Sequence, residues 1–204
     1  FAEATSQAGI DYVGQSWGAS WGDFNGDGLP DLWVSSHFAM DVLYLNKGDG
    51  TFLDVSAQVA SDEARRGDSH GGAWADFDND GDLDVMIGAS SMTGGGHKLL
   101  RNDLGSFTNI SAGSGFDLYN GTSIEFIARD FDNDGYVDVL GGGSLMRNNG
   151  DMTFSPMVVP FYNGPTGDLN NDGFVDVQND NIVYLNIGND NNWIKVITQG
   201  TESN

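Results

Sequence analysis

Four copies of one acidic loop constrain this chain more than any other feature of its sequence. The copies read DFNGDGLPDL, DFDNDGDLDV, DFDNDGYVDV and DLNNDGFVDV, and they begin at Asp23, Asp76, Asp130 and Asp168. Two carboxylates about 4 Å apart repel by roughly 4 kcal/mol at an effective dielectric of 20. Loops that gather several carboxylates in ten residues are therefore expected to splay unless a cation lies among them.

The loops place oxygen-bearing side chains at positions 1, 3, 5 and 9. Position 6 is glycine in every copy and position 4 is glycine or asparagine, which are the residues that best tolerate positive φ. A tight turn there lets alternate side chains converge, and the carbonyl at position 7 adds an oxygen. Because Ca²⁺ prefers six to eight oxygen ligands, the pattern predicts about four calcium ions. The predicted ligands are Asp23, Asn25, Asp27, Leu29, Asp31, Asp76, Asp78, Asp80, Asp82, Asp84, Asp130, Asp132, Asp134, Tyr136, Asp138, Asp168, Asn170, Asp172, Phe174 and Asp176.

Two other interpretations of the loops compete with this one. An EF-hand needs a bidentate Glu at position 12, but that position holds Val34, Ile87, Gly141 and Asn179. Strands are expected after the loops, so the aspartate at position 9 is predicted to close the metal shell instead. The alternative without metal is a set of plain solvated acidic turns.

The loops recur inside longer repeats, which predict the fold. A small-residue strand precedes each loop, a short apolar strand follows it, and two further strands meet at an Asn/Gly/Asp turn, as in LYLNKGDGTFLDV (43–55). Four antiparallel strands per repeat predict an all-β fold, a β-propeller of four-stranded blades. We expect a single domain over 1–204, with repeats at about 14–60, 68–115, 121–160 and 161–200 and an extra outer strand at 1–13. The four blades form either a four-bladed ring or part of a larger propeller.

The composition of the chain narrows the classes of partner that it is expected to bind. A formal charge of −22 argues against nucleic acid and anionic membrane surfaces, and no stretch approaches eighteen apolar residues, so no membrane insertion is expected. Cysteine is absent, so thiols do not indicate the compartment. The surplus outer strand could close the ring. It could also add to a neighbouring molecule and build a homo-oligomer or fibre.

The pattern D-x-[DN]-x-D-G-x-x-D, with LYLNKGDGTF downstream, resembles the FG-GAP/VCBS repeats of integrin-α-type propellers. FAEATSQAGI, HGGAWADFDNDGDLDV and NNWIKVITQGTESN resemble segments of the secreted VCBS proteins of the cartilage-acidic-protein (ASPIC/UnbV) type. The resemblance implies an extracellular, secreted or cell-surface, calcium-binding propeller used for adhesion or ligand display. That family usually closes seven blades, whereas four loops are present here. The fourth repeat is short and carries Thr166 where the first two carry Trp21 and Trp74, so its blade is expected to be irregular.

Three functions follow as hypotheses. The first is a non-enzymatic adhesion, matrix or surface-assembly module that binds a protein or glycan ligand. The second is a carbohydrate-active enzyme of the polysaccharide lyase type, with His70, Arg66 and Tyr119 as conceivable site residues, although no nucleophile motif accompanies them. The third is a self-assembling filament subunit that donates a strand. Trp17, Trp21, Trp33 and Trp74 could stack on sugars, but a tryptophan two residues before an acidic loop is expected in the core. Asn109 and Asn120 match the glycosylation pattern of secreted chains.

Overall fold

The computed structural model describes residues 2–12, 14–65, 69–89, 96–118 and 125–194, and it has an all-β architecture of propeller blades. Its strands are β1 (Ser16–Gly22), β2 (Asp31–Ser36), β3 (Val42–Asn46), β4 (Phe52–Asp54), β5 (Ser69–Ala75), β6 (Asp84–Ala89), β7 (Lys98–Asp103), β8 (Ser106–Asn109), β9 (Ile127–Arg129), β10 (Asp138–Gly141), β11 (Ser144–Asn148), β12 (Phe154–Val158), β13 (Thr166–Gly167), β14 (Asp176–Asn179) and β15 (Ile182–Tyr184). The helical elements are short: α1 (Thr5–Ala8), α2 (Ser56–Val59), α3 (Asp62–Arg65) and a 3₁₀ turn (Phe116–Leu118).

These strands form four antiparallel sheets, each built from consecutive strands. Blade 1 is β1–β4, blade 2 is β5–β8, blade 3 is β9–β12, and blade 4 has the three strands β13–β15. Each sheet lies within one of the four predicted repeats. In every blade the acidic loop joins the first strand to the second, so all four loops occupy the same place in their blades. The predicted all-β, bladed fold is confirmed.

The blades are held together by apolar clusters between neighbouring sheets. One cluster joins Trp33 and Leu43 of blade 1 to Val85 and Leu100 of blade 2, and all four side chains are fully buried. Two further clusters join blade 2 to blade 3 and blade 3 to blade 4. Because the middle strands are covered on both faces, every residue of β2 and β6 is buried and neither strand alternates.

The structure corrects the prediction of an extra outer strand at residues 1–13. Among the described residues 2–12 there is no strand, and α1 is present instead. Glu3 Oε1 accepts a hydrogen bond from the N–H of Thr5 at 2.7 Å, and Gly9 at φ 74° ends the helical turn. Ile10 and Tyr12 then pack on the apolar face of blade 1. Phe1, on which the prediction centred, lies outside the described residues.

Blade 4 departs from the pattern, as its short repeat predicted. Its first strand has only two residues. Two strands joined by a turn were expected at 183–196, but within the described residues 183–194 only the end of β15 is a strand. The remainder of that segment, 195–196, lies outside the described residues. Pro165 directly precedes β13 and has no N–H to donate to a sheet, which helps to explain the short strand.

Candidate metal sites

Each acidic loop is wound around its own carboxylates by backbone hydrogen bonds. In the first loop, the N–H groups of Asp27 and Gly28 donate to the two oxygens of Asp23 at 3.1 and 2.8 Å. The N–H of Leu29 donates to Asp27 Oδ1 at 2.9 Å. The same bonds recur in the other three loops. These bonds point the side chains at positions 1 and 5 inward and give the loop its tight turn.

The backbone conformation at positions 4 and 6 agrees with the prediction. Position 4 has positive φ in all four copies, at Gly26, Asn79, Asn133 and Asn171, and so does position 6, at Gly28, Gly81, Gly135 and Gly173. A Cβ added at Gly81 would meet no described heavy atom within 4 Å. The glycine is therefore required by its φ of 100° and not by lack of space.

The aspartate at position 9 fastens the loop to the rest of its blade. In blade 2, Asp84 Oδ2 accepts the N–H of Phe77 at 2.9 Å, and its Oδ1 accepts the N–H of Asn102 in β7 at 2.8 Å. The same two bonds form at the other position 9 residues, and all four carboxylates are fully buried: Asp31, Asp84, Asp138 and Asp176. This residue therefore has a structural role in addition to the ligand role predicted for it.

The second and third loops bring carboxylates close enough to share an ion. Asp76, Asp78 and Asp84 each offer an oxygen within 4.8 Å of the others, and Asp130, Asp132 and Asp138 do the same. Burial, together with the neighbouring carboxylates, raises the pKa of Asp84 and Asp138 to about 7, against the hydrogen bonds that lower it. A divalent cation would offset that cost directly, so the donor set fits calcium.

The first and fourth loops replace one carboxylate with an amide. Nδ2 of Asn25 donates to Asp27 Oδ2 at 3.1 Å, and Nδ2 of Asn170 donates to Asp172 Oδ2 at 2.7 Å. Positions 3 and 5 thus remain adjacent, with less negative charge than in the middle loops. At position 7 of the second loop, the side chain of Asp82 accepts the N–H of Leu104 at 2.8 Å, which leaves its carbonyl as the group predicted to bind metal. The complete ligand set remains a prediction.

Sequence reasoning missed an asparagine that lies at or close to the end of the third strand of every blade. Asn102 is fully buried, and its Nδ2 donates both to Leu83 O at 3.0 Å and to Phe24 O of the preceding blade at 2.7 Å. Its Oδ1 accepts the N–H of Gly105 at 2.9 Å. Equivalent residues are Asn46, Asn148 and Asn186, the fixed Asn in the motifs LYLN, LMRN and VYLN. That fixed position was the signal that could have revealed it.

An arginine beside the third loop was also missed. Nη2 of Arg147 forms an ion pair with Asp132 Oδ2 and lies 3.9 Å from Asp134 Oδ2. The side chain therefore places a positive charge against two predicted ligands. This contact agrees with the electrostatic argument that these loops need cationic partners.

The residues considered for catalysis are only partly described. His70 lies in β5, largely buried, with Nε2 3.3 Å from Nδ1 of His37 and its ring stacked on Trp17 at 4.6 Å. Arg66, Tyr119 and the glycosylation candidate Asn120 lie outside the described residues, whereas Asn109 ends β8. Among the tryptophans, Trp33 is buried and Trp74 packs between blades, but Trp17 and Trp21 are about half exposed. The prediction of a core position is wrong for Trp21, which lies two residues before its loop.

Fold and loops together define an all-β repeat protein of the propeller type, whose blades are each turned by an acidic, oxygen-rich loop. The family model described as an FG-GAP-like repeat matches residues 23–87, which contain the first two loops. The chain is similar to cartilage acidic protein 1 of Mus musculus, with 26% identity over 156 residues, and to that of Xenopus tropicalis, with 31% identity over 114 residues. These matches confirm the resemblance drawn from the motifs.

The matches cover only a small part of each relative, which limits what they indicate about the function of this chain. The mouse and frog matches cover 72% and 54% of this chain but 22% and 17% of those relatives. The human protein of the same name is 29% identical over 42% of this chain and 13% of its own length. The chain thus spans about a fifth or less of the length of these relatives. Within the described residues, no helix has the length and apolar character needed to cross a bilayer.

Proposed function

We propose that this chain is an extracellular, calcium-binding propeller module that serves adhesion, matrix or surface assembly by binding a protein or glycan. Calcium has a structural role in this proposal, because it holds the turn between the first two strands of each blade. The observation that carries it is the fourfold recurrence of one loop geometry, with two carboxylate clusters whose oxygens lie within 4.8 Å. Each copy also buries the carboxylate at position 9, and burial raises the pKa of Asp84 and Asp138, a cost that a bound cation would offset.

An extracellular setting suits such sites. Oxygen-ligand sites of extracellular modules bind Ca²⁺ at about 10⁻⁴ to 10⁻³ M, which matches calcium levels outside cells. The similarity to proteins named cartilage acidic protein 1 supports the same setting. The charge of −22 also fits a partner surface that is basic or is bridged by cations.

The role proposed is non-catalytic. His70 packs against Trp17 and His37, which is the setting of a structural side chain. Phe38, in the connection after β2 at the blade end opposite the acidic loop, is 75% exposed, with its ring 4.1 Å from that of His37. This aromatic tip is the first surface that we would test for ligand contact.

Calorimetric titration of calcium-stripped protein tests the metal assignment. We expect about four Ca²⁺ per chain, and Asp80→Ala should lower that number by one because it removes a ligand from the most acidic loop. Asp103→Ala is the matched control, since Asp103 is exposed outside the loops and pairs with Arg101 at 2.9 Å. Full stoichiometry in Asp80→Ala would refute the assignment of that residue.

A binding screen tests the adhesion role. Wild-type protein and Phe38→Ala are applied to glycan arrays and to extracellular matrix proteins in millimolar calcium. Calcium-dependent retention that Phe38→Ala weakens would support a binding module. Turnover of a polysaccharide that His70→Ala abolishes would instead establish the lyase.

A further inference from the structure

The acidic loops of blades 2, 3 and 4 are joined in series by side-chain amides. Nδ2 of Asn79, at position 4 of the second loop, donates to the carbonyl of Gly135, at position 6 of the third loop, at 3.0 Å. Nδ2 of Asn133, at position 4 of the third loop, donates to the carbonyl of Gly173, at position 6 of the fourth loop, also at 3.0 Å. The same bond therefore forms at two successive contacts, between the same positions of neighbouring loops.

The carbonyl that accepts each amide belongs to a peptide group that also holds a predicted calcium ligand. The N–H of the peptide that follows Gly135 is that of Tyr136, and it donates to Asp134 Oδ1 at 2.9 Å. In the fourth loop the N–H of Phe174 donates to Asp172 Oδ1 at 2.9 Å. Because a peptide group is planar, an N–H that is held by a carboxylate also fixes the direction of its carbonyl. Ordering of the position 5 carboxylate, as expected when an ion is bound, therefore also orders the acceptor of the preceding loop.

The donor of each bond lies between two predicted ligands of its own loop. Asn79 separates Asp78 from Asp80, and its φ of 61° forms part of the turn that brings these carboxylates together. The N–H of Asp80 in turn donates to Asp76 Oδ1 at 3.0 Å. An amide that is anchored on the next loop therefore restrains the turn on which its own loop depends.

The first loop stands outside this series because its position 4 is Gly26, which has no side chain to donate. The contact between the first two loops is otherwise similar to the next one. Asn102 donates to Phe24 O at 2.7 Å across the first contact, and Asn148 donates to Phe77 O at 2.8 Å across the second. The second loop thus has one neighbour that is linked through position 4 and one that is not.

We propose that Asn79 and Asn133 are positioning residues that couple calcium binding among the second, third and fourth loops. The inference rests on the proposed calcium-binding function. Filling one loop should tighten calcium binding at a linked neighbour about fivefold, the change in an equilibrium constant that corresponds to one net hydrogen bond of about 1 kcal/mol. The coupling is reciprocal, as linkage between two binding sites requires.

Titration of the calcium-stripped, 204-residue chain with CaCl₂, followed by ¹H–¹⁵N NMR, tests this coupling loop by loop. The N–H of the position 6 glycine donates to the position 1 aspartate in every loop, so its resonance should report on its own site. The four reporters are Gly28, Gly81, Gly135 and Gly173. Asp80→Ala is expected to disable the second loop, which leaves one linked and one unlinked neighbour to compare. Asp103→Ala is the control for the loss of a charge outside the loops, since Asp103 pairs with Arg101.

Relative to Asp103→Ala, Asp80→Ala should raise the calcium midpoint at Gly135 about fivefold more than at Gly28. Asn79→Gly gives the second loop the position 4 residue of the first and tolerates positive φ, so adding it to Asp80→Ala and to the wild type should remove the difference. Gly26→Asn should create coupling at the first loop, because an added Cβ meets no described heavy atom within 4 Å and the new amide can face the carbonyl of Gly81.

Equal shifts at Gly28 and Gly135 in Asp80→Ala would overturn the coupling and leave the calcium-binding function intact. A difference that persists in the Asn79→Gly background would also overturn it, because the amide would then not be the link. If none of the four glycine resonances responds to CaCl₂, the proposed calcium-binding function fails, and this inference fails with it.

Discussion

Replacing Asn102 by alanine isolates the hydrogen bonds that join two blades. The side chain is fully buried and makes three hydrogen bonds, to Phe24 O, to Leu83 O and from the N–H of Gly105. At about 1 kcal/mol net for each bond, Asn102→Ala should lower the free energy of unfolding by about 3 kcal/mol. For a chain of this length, that loss corresponds to a fall in melting temperature of roughly 6 to 12 °C.

Asn46→Ala is the matched control in blade 1. Among the described residues, the side chain of Asn46 bonds only within its own blade, to Pro30 O and from the N–H of Gly48, both at 2.9 Å, and it is partly exposed. Its replacement should therefore cost about 1 kcal/mol less than that of Asn102. Urea denaturation of the two variants in saturating calcium measures both losses. Equal losses, or an unchanged midpoint in Asn102→Ala, would refute the reasoning that this amide holds neighbouring blades together.

Two further predictions concern a buried acid and a turn. Burial raises the pKa of Asp41 to about 7 from 3.8, against the N–H of Ser36 that donates to it at 2.8 Å. The neutral carboxyl stabilises the fold below pH 4, and this contribution is lost as pH rises through 7. Asp41→Asn should therefore flatten the dependence of melting temperature on pH between 4 and 7. Parallel curves of melting temperature against pH for variant and wild type would contradict this prediction. Gly81→Ala should cost about 1 to 2 kcal/mol because alanine must adopt φ 100°. Gly167→Ala, at a glycine without positive φ and with no described heavy atom within 4 Å of the added Cβ, should be neutral in the same denaturation assay.

The bladed fold could be predicted because local rules and long-range packing agree in most of the chain. Glycine or asparagine at position 4 and glycine at position 6 require the turn, and short apolar runs on either side require strands, so the loops and most sheets follow from spacing alone. An irregular fourth blade was also predicted, from Thr166 and the short repeat.

The features that could not be predicted depend on contacts between blades. Trp21 and Trp74 occupy the same place, two residues before their acidic loops, yet only Trp74 has a preceding described blade to cover it, so this place in the repeat does not predict their different exposure. The two hydrogen bonds that Asn102 donates link loops distant in sequence, so the repeated asparagine marks the residue but does not reveal its partners. At the amino terminus, the sequence resembled an outer strand, but the described residues 2–12 contain the short helix α1, whose first N–H, that of Thr5, is accepted by Glu3.

The central claim is that calcium neutralises the four acidic loops and so allows a chain of charge −22 to pack. Thermal unfolding with calcium, with magnesium at equal ionic strength, and with chelator tests it most directly. At 100 times the dissociation constant each site contributes about 2.7 kcal/mol, so calcium should raise the melting temperature by many degrees and magnesium by far less. Identical melting temperatures in calcium and in chelator would contradict the account.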